Sequence, residues 1–591
     1  MPPTSSIAPS SEHYPSIRRV SNAILIAVFV AASASILIEY GFYAGAWVRS
    51  VLHWIDLVAL ICFIAVQAVK LYAVPDRSAL LRERRLEYLL TGVVLLASVA
   101  LLFTVLLQGE GLAARSRLFS VTIVTAQVAI VLEMLFTTVR FSRRIGSLRL
   151  HPSRVFLASF VLVILLGTLG LLLPKASTNG IGVVDALFTS TSAVCVTGLI
   201  VVDTATAFTF TGKLIILVLI QIGGLGLMTF TTFFALFAGK LGVRERVLLQ
   251  DMLSREHLGE VRHTLKNIMT VTFIIEALGA LFLYFSWPAG SFSSVEERVF
   301  SSLFHSVSAF CNAGFSLFSD GLGHAGVAMN PAVNISIAGL IVLGGLGFIT
   351  IVNVFSLLPG RRSTPAKRAR LTAHSRIVLV SSALLISGGA VLLLLSEQTA
   401  ALRGLSWWER GMAAMFQSIT TRTAGFNTID IAAVTVPGTL VMVLLMFIGA
   451  SPASTGGGIK TTTAAVVLMH ALQHLRGRTS IEIGSRSIAA AVIDRAHAAL
   501  LFGMVLVFVA TLALSAFETA PLIDLLFETV SAMATVGLSR GITAELSDGS
   551  KIVLILTMLI GRVGVLTFMQ SVSTAAPLNR YDYPTEHVIV G

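Results

Sequence analysis

Thr191-Ser192-Ala193-Val194-Cys195-Val196-Thr197-Gly198-Leu199 is a run of small residues that ends in a glycine and a large apolar side chain. The pattern returns three times, as Ser308-Ala309-Phe310-Cys311-Asn312-Ala313-Gly314-Phe315, Thr420-Thr421-Arg422-Thr423-Ala424-Gly425-Phe426 and Ser531-Ala532-Met533-Ala534-Thr535-Val536-Gly537-Leu538. A phenylalanine precedes each run. Phe188, Phe304 and Phe527 lie ten residues before their glycine, and Phe416 lies nine before Gly425. Four copies of one short pattern imply four copies of one structural unit.

The medium is lipid. The 591 residues are 55% hydrophobic and 12% charged, whereas a soluble domain is nearer a quarter charged. Mean hydropathy is +0.87. Apolar runs of about 20 residues, long enough to cross a hydrocarbon core, recur along the chain. The net charge of +12 is therefore a topology signal rather than a sign of nucleic-acid binding. Cys62, Cys195 and Cys311 form no CxxC pair and no metal-ligand spacing, which leaves a disulfide or zinc site without support.

The expected fold is all-α and polytopic. Residues 1–17 read as a disordered cytoplasmic tail and 18–150 as an accessory bundle of about four spans. Ala32-Ser33-Ala34 resembles a cleavage site, but the apolar run continues through Ile36, Leu37 and Ile38, so the first span reads as an uncleaved anchor. The later spans of the bundle fall near 55–74, 88–107 and 118–139. The fourth has no arginines at three-residue spacing, which argues against a voltage sensor.

From residue 151 the order becomes span, short segment, glycine run, span. It occurs four times, in repeats at 151–250, 251–360, 361–480 and 481–591. The short segment cannot cross a bilayer and reads as a re-entrant element. The second and third repeats are expected to close with spans near 331–358 and 437–469, and the fourth with one near 551–573. The linkers carry Lys240, Arg244 and Arg246, then Arg361, Arg362 and Lys367, then Arg476, Arg478 and Arg486. Basic linkers are cytoplasmic. The glycine runs then enter from outside, and both termini are cytoplasmic. The linker charges are topogenic, with docking of a cytoplasmic partner as a second role.

A bare alkali cation needs its hydration shell replaced, and backbone carbonyls from several strands do this. Glycine supplies the backbone angles that a Cβ obstructs. No acidic residue lies in the four runs, which favours carbonyls over a carboxylate ring. The competing reading is that glycines merely let helices pack closely; four at the same place in four repeats argue against it.

These runs resemble the Trk, Ktr and HKT superfamily of potassium transporters. The resemblance covers about residues 155–591. It rests on Cys195-Val196-Thr197-Gly198, Phe310-Cys311-Asn312-Ala313-Gly314-Phe315, Arg422-Thr423-Ala424-Gly425-Phe426-Asn427 and Thr535-Val536-Gly537-Leu538, and extends to Ser454-Thr455-Gly456-Gly457-Gly458-Ile459-Lys460-Thr461-Thr462 and the ending Tyr583–Gly591. The sequence looks most like the Ktr-type bacterial membrane subunit, from which residues 1–150 depart. The resemblance implies a K+ filter at Val196, Thr197, Gly198, Asn312, Ala313, Gly314, Thr423, Ala424, Gly425, Thr535, Val536 and Gly537. Some plant relatives carry serine for the first filter glycine and prefer sodium; all four positions here are glycine. It further implies a homodimer in a bacterial inner membrane, with cytoplasmic nucleotide-binding ring subunits as regulators.

Two features break the four-fold pattern. Gly223-Gly224-Leu225-Gly226 and Gly344-Gly345-Leu346-Gly347 correspond to Gly561-Arg562-Val563-Gly564, so Arg562 stands where the other repeats have glycine. A charge deep in a span costs roughly 2.5–3.5 kcal/mol and usually faces a cavity or a partner. One reading is a structural arginine bonded to backbone carbonyls or to an acid such as Glu276. The other places Arg562 by the pore, where at about 10 Å and an effective dielectric near 20 it repels a cation by about 1.7 kcal/mol.

The third repeat instead carries Phe447 to Lys460, with a proline and a glycine run that break a helix. A phosphate-loop reading fails, because Ile459 separates Gly458 from Lys460 and no strand precedes it. Gly449, Ser451, Ser454, Thr455, Gly456, Gly457, Gly458 and Lys460 are expected to form an intramembrane gating loop, and only this repeat is expected to break. No enzyme chemistry and no cofactor are implied. Three classes remain: a potassium-conducting uptake subunit, a transporter coupling K+ to Na+ or H+, and a non-conducting scaffold.

Overall fold

In the computed structural model, residues 14–43, 45–73, 91–92, 95–96, 152–238, 261–324, 326–357, 370–478, 481–483 and 486–572 are described. Most of the expected span near 88–107, all of that near 118–139, most of the first two basic linkers and the chain ending lie outside the described residues. The described chain is helical apart from a two-residue antiparallel pairing of Glu482–Ile483 with Arg486–Ser487.

It forms two compact units. In one, α1 (Tyr14–Gly41) packs on α2 (Ala46–Ala73) through Val28, Ala32, Phe63 and Val66. The buried carboxylate of Asp56 is offset by a hydrogen bond from Ser35, 2.8 Å.

The second unit holds all four glycine runs. Before the first come α3 (Pro152–Leu171) and the short α4 (Val183–Val194), with α5 (Phe210–Ala238) after it. The second lies between α6 (Val261–Ser286) with α7 (Val295–Cys311) and α8 (Pro331–Leu346) with α9 (Phe348–Phe355). The third is flanked by α10 (Ala373–Glu397), α11 (Trp407–Thr420), α12 (Val436–Phe447) and α13 (Thr461–Leu475). The fourth is flanked by α14 (Ala490–Phe517), α15 (Leu522–Ala534), α16 (Asp548–Val563) and α17 (Val565–Val572). Among the described residues, 6 helices are long and apolar enough to cross a membrane, or up to 8 if each bent pair is one span.

The short helices nest against the long ones by one recurring device. A hydroxyl on the short helix bonds the long helix: Ser190 to Ile164 O, 2.7 Å; Ser306 to Glu276 O, 2.7 Å; Ser418 to Ile386 O, 2.8 Å. In the fourth case Thr529 pairs with the Thr511 hydroxyl, 2.7 Å. Gly167, Gly279 and Gly389 leave room for these hydroxyls, which a Cβ there would overlap. The starts are set locally: Ser294 caps α7, and Ser406 with Glu409 forms a capping box on α11.

One expectation is overturned. The third unit is not alone in breaking. The chain turns by 101° between α8 and α9 and by 97° between α16 and α17. The pivots are Gly347 (φ 83°, ψ 144°) and Gly564 (φ 88°, ψ 130°), a conformation that a Cβ disfavours. The expected spans 331–358 and 551–573 are therefore bent pairs, while Gly226, in the same motif, stays within α5.

Candidate functional site

Each short helix ends within five residues of its glycine, so the partial negative charge of its C-terminus lies close to that run. The four runs then share one backbone course. Val196, Asn312, Thr423 and Thr535, two residues before the glycines, have φ of 55°, 60°, 75° and 51°. Gly198, Gly314, Gly425 and Gly537 have φ of 91°, 69°, 78° and 93°. Four non-glycine residues in the left-handed region at one equivalent position mark backbone strain that the surroundings must hold.

They hold it with hydroxyls. Ser192 accepts from the Gly198 amide, 3.1 Å, and donates to Leu199 O, 2.7 Å. Ser308 donates to Phe315 O, 2.8 Å, and Ser531 accepts from the Gly537 amide, 3.0 Å. In the third run the Gly425 amide turns to Thr420 O, 3.3 Å. These serines stand six residues before their glycines in three of the runs, and that spacing is the sequence signal of this hydroxyl support.

The runs close into a ring. A Cβ on Gly198 would collide with Ala313 O, one on Gly314 with Ala424 O, one on Gly425 with Val536 O, and one on Gly537 with Thr197 O. Each glycine thus abuts the carbonyl of the residue before the next glycine, and the fourth run meets the first. Thr197, Ala313, Ala424 and Val536 are fully buried, so the oxygens are set by backbone and not by mobile side chains. The Asn312 amide and Thr423 hydroxyl are linked across runs, 3.2 Å. Gly223, Gly344 and Gly561 let the following helices close on Val194 O, Phe310 O and Met533 O.

Beside this ring lies the stretch from Gly449 to Lys460. It folds on itself through Ala450 N to Gly457 O, 3.3 Å, Ser454 Oγ to Ser451 O, 2.6 Å, and Thr461 Oγ1 to Ser451 Oγ, 3.1 Å. Gly449 packs on Gly458, and Lys460 Nζ reaches back to Gly456 O, 2.7 Å. The stretch also caps α8. Gly345 O and Gly344 O, left without helical partners by the bend, accept from Ser451 N, 3.0 Å, and Thr455 N, 3.3 Å. The Phe348 amide freed at Gly347 donates to Ala453 O, 3.0 Å.

Thr455 Oγ1 donates to Phe310 O, 3.1 Å. Gly456 abuts the Thr423 side chain and Gly457 that of Thr535, too closely for a Cβ on either. Arg562, 1% exposed, completes the contact set. Its Nη1 donates to Thr455 O and its Nη2 to Gly223 O, 2.6 Å. Loop and arginine together touch backbone or side-chain atoms of all four units. Both partners are backbone carbonyls, the kind that the structural reading of Arg562 allows. Glu276 instead faces the Cys311 thiol, 3.8 Å.

On the other edge of the ring the units are tied in pairs. Ser319 donates to Asp203, 2.6 Å, and Lys551 meets Asp185, 2.7 Å. Partial burial works to raise the Asp203 pKa. Hydrogen bonds from Ser319, Thr206 and the Ala205 amide, together with Lys213, outweigh it and hold the carboxyl below its usual value.

The profile of the TrkH family, described as a cation transport protein, matches residues 128–581. The chain belongs to the TrkH family. It is 38% identical over 441 residues to the Ktr system potassium uptake protein B of Vibrio alginolyticus, covering 74% of this chain and 94% of the relative. Identity is also 38% over 465 residues to the protein of that name from Bacillus subtilis, covering 77% of this chain and 100% of the relative. The potassium/sodium uptake protein NtpJ of Enterococcus hirae is 36% identical over 462 residues, covering 75% of this chain and 98% of the relative. In fold the TrkH-family chain is similar to the crystal structure of the potassium transporter TrkH from Vibrio parahaemolyticus. The TM-score is 0.59 at 19% identity, with 83% of this chain and 97% of that one covered. The family's activity is transport across a membrane, not covalent catalysis.

Proposed function

We propose that this chain is a potassium-conducting uptake subunit of a bacterial inner membrane. K+ passes through a filter made by backbone carbonyls of the four glycine runs. The observation that carries the reading is the closure of the four runs, glycine against carbonyl, into one ring of buried backbone. Carbonyl oxygens held by packing replace the hydration shell of a monovalent cation at little cost in reorganisation. The names of the Ktr relatives support potassium as the ion. In this reading 18–150 is an accessory bundle, and the repeats at 151–250, 251–360, 361–480 and 481–591 surround one pore with both termini cytoplasmic.

The stretch 449–460 is the gate, and Arg562 is its latch. The guanidinium holds Thr455 O and Gly223 O at once, so the loop is tied beneath the ring from two units. Its charge also raises the electrostatic barrier for a cation. The reading includes a homodimer and a cytoplasmic nucleotide-binding ring docked on the basic linkers and the chain ending. The relatives' name, a Ktr system, supports a second component.

Rescue of growth at low potassium in a bacterium lacking its own uptake systems tests conduction; no rescue by a membrane-inserted chain would count against it. A second reading, transport coupled to sodium, is favoured by the potassium/sodium relative. Reversal potentials across defined K+ and Na+ gradients separate the two, since coupling shifts them away from the potassium equilibrium value.

A further inference from the structure

The short helices carry a second aligned position. Nine residues before the glycine, or eight in the third run, stand Thr189, His305, Gln417 and Glu528. All four are buried polar side chains on helices that end at the ring. Their surroundings differ in pairs.

His305 Nδ1 lies 2.8 Å from Ser301 O, so that nitrogen carries the proton. Nε2 is then an acceptor, and it meets Ser316 Oγ at 3.1 Å and the Leu317 amide at 3.4 Å. Glu528 Oε1 accepts from Ser539 Oγ and from the Arg540 amide, 3.3 Å, and its Oε2 accepts from Thr543 Oγ1, 2.9 Å. Ser316 and Ser539 each stand two residues after their glycine. Both braces therefore tie the outer end of a glycine run to the middle of its own short helix. Thr189 Oγ1 and both amide atoms of Gln417 have no hydrogen-bond partner among the described residues.

The ring order decides what this pairing means. Gly314 borders the first and third runs, and Gly537 borders the third and first. The braced runs thus face each other across one diagonal, and the unbraced runs face each other across the other. Arg540 stiffens the braced side further. It pairs with Asp524, 2.5 Å, and donates to Val434 O, 3.1 Å, and Thr439 Oγ1, 2.9 Å, in the neighbouring unit.

We infer that His305 and Glu528 are positioning residues that fix the ring width between Gly314 and Gly537 and thereby exclude the smaller sodium ion. The inference rests on the reading that the ring passes cations. A carbonyl cage accommodates a smaller ion only by moving inward, and a run pinned at its outer end resists that movement. The unbraced diagonal adjusts to the ion, while the braced one sets the size limit.

The test is the sodium-to-potassium permeability ratio from reversal potentials, with purified protein in liposomes. Losing the three bonds that its carboxyl accepts, Glu528→Leu is expected to raise the ratio about tenfold, and His305→Leu about fivefold. Glu528→Gln keeps an acceptor for Ser539 and the Arg540 amide and is expected to stay within about threefold of wild type. Thr189→Val, at an unpartnered position, is expected to leave the ratio unchanged. Ser539→Ala keeps Glu528 but removes its hydroxyl donor, along with the bonds that hydroxyl accepts from the Gly541 amide and Thr543, and decides the matter if Glu528→Leu does not fold. A wild-type ratio in monodisperse, conducting Glu528→Leu or Ser539→Ala protein overturns the inference, and so does an equal shift in Thr189→Val. A wild-type chain that conducts no potassium overturns the reading beneath it instead.

Discussion

Two layers of the molecule, a few ångströms apart, obey opposite rules. In the ring, four runs that differ in sequence share one backbone, down to a left-handed residue two places before each glycine. In the layer against its inner edge, four helices that begin alike end in different ways. One continues through Gly226, two turn at Gly347 and Gly564, and one opens into the stretch 449–460. An ion is spherical and rewards equivalent oxygens on all sides. A gate needs one element that moves against others that do not. The proposed filter and proposed gate divide along that line.

The contrast is broken most severely at the ring. Gly314→Ala sets a Cβ against Ala424 O at a residue whose φ is 69°. Clash and backbone strain together are expected to lower K+ uptake at least about a hundredfold; uptake near wild type in a correctly inserted variant would remove glycine from the argument. Next comes the loop. Deleting Ala453–Gly457 takes away the Thr455 cap on α8, the acceptor of the Phe348 amide and one of the two carbonyl partners of Arg562, and is expected to raise closed-state leak of rubidium about thirtyfold. Gating like wild type after that deletion sinks the proposed gate.

Arg562→Ala tests the latch alone. Loss of its two carbonyl bonds and of its charge is expected to raise cation flux about tenfold with selectivity intact. Unchanged flux in a folded Arg562→Ala leaves only the structural role that the sequence also allowed.

The smallest effect lies at the ring's other edge. Asp203 has a folded pKa below its ordinary 3.8. Its bonds therefore add stability that is fully present above that value and is lost as pH falls through the lower, folded value. The group is partly exposed, so the contribution is under about 1 kcal/mol. Thermal unfolding in detergent at pH 7 and at acid pH, for wild type and Asp203→Asn, is expected to show a larger acid loss in wild type than in the variant.

How much of this the sequence discloses follows from which atoms do the work. The glycines, their phenylalanines and the odd Arg562 are side-chain facts and stand in the sequence. The bends at Gly347 and Gly564 do not. Gly226, Gly347 and Gly564 occupy one motif, yet only two of them end a helix, because the choice depends on what takes the freed backbone groups. For Gly347 the acceptor is Ala453 O, more than a hundred residues away. That Arg562 bonds carbonyls is one of the readings its sequence allows, but which carbonyls it takes is not legible, because every residue owns one; the fold selects Thr455 O and Gly223 O. The brace position is not legible in the sequence because threonine, histidine, glutamine and glutamate share no chemistry beyond being polar, and only the fold shows them aligned.

The ring closes within a single polypeptide. A pore assembled from four identical subunits inherits every mutation in quadruplicate, so a change that helps one quarter is imposed on the other three. Here one codon alters one quarter. Arginine could enter beside the fourth run, a loop could grow after the third, and braces could arise on one diagonal only, each as a heritable step that leaves the remaining quarters unchanged. Covalent continuity is what lets such a pore evolve by parts.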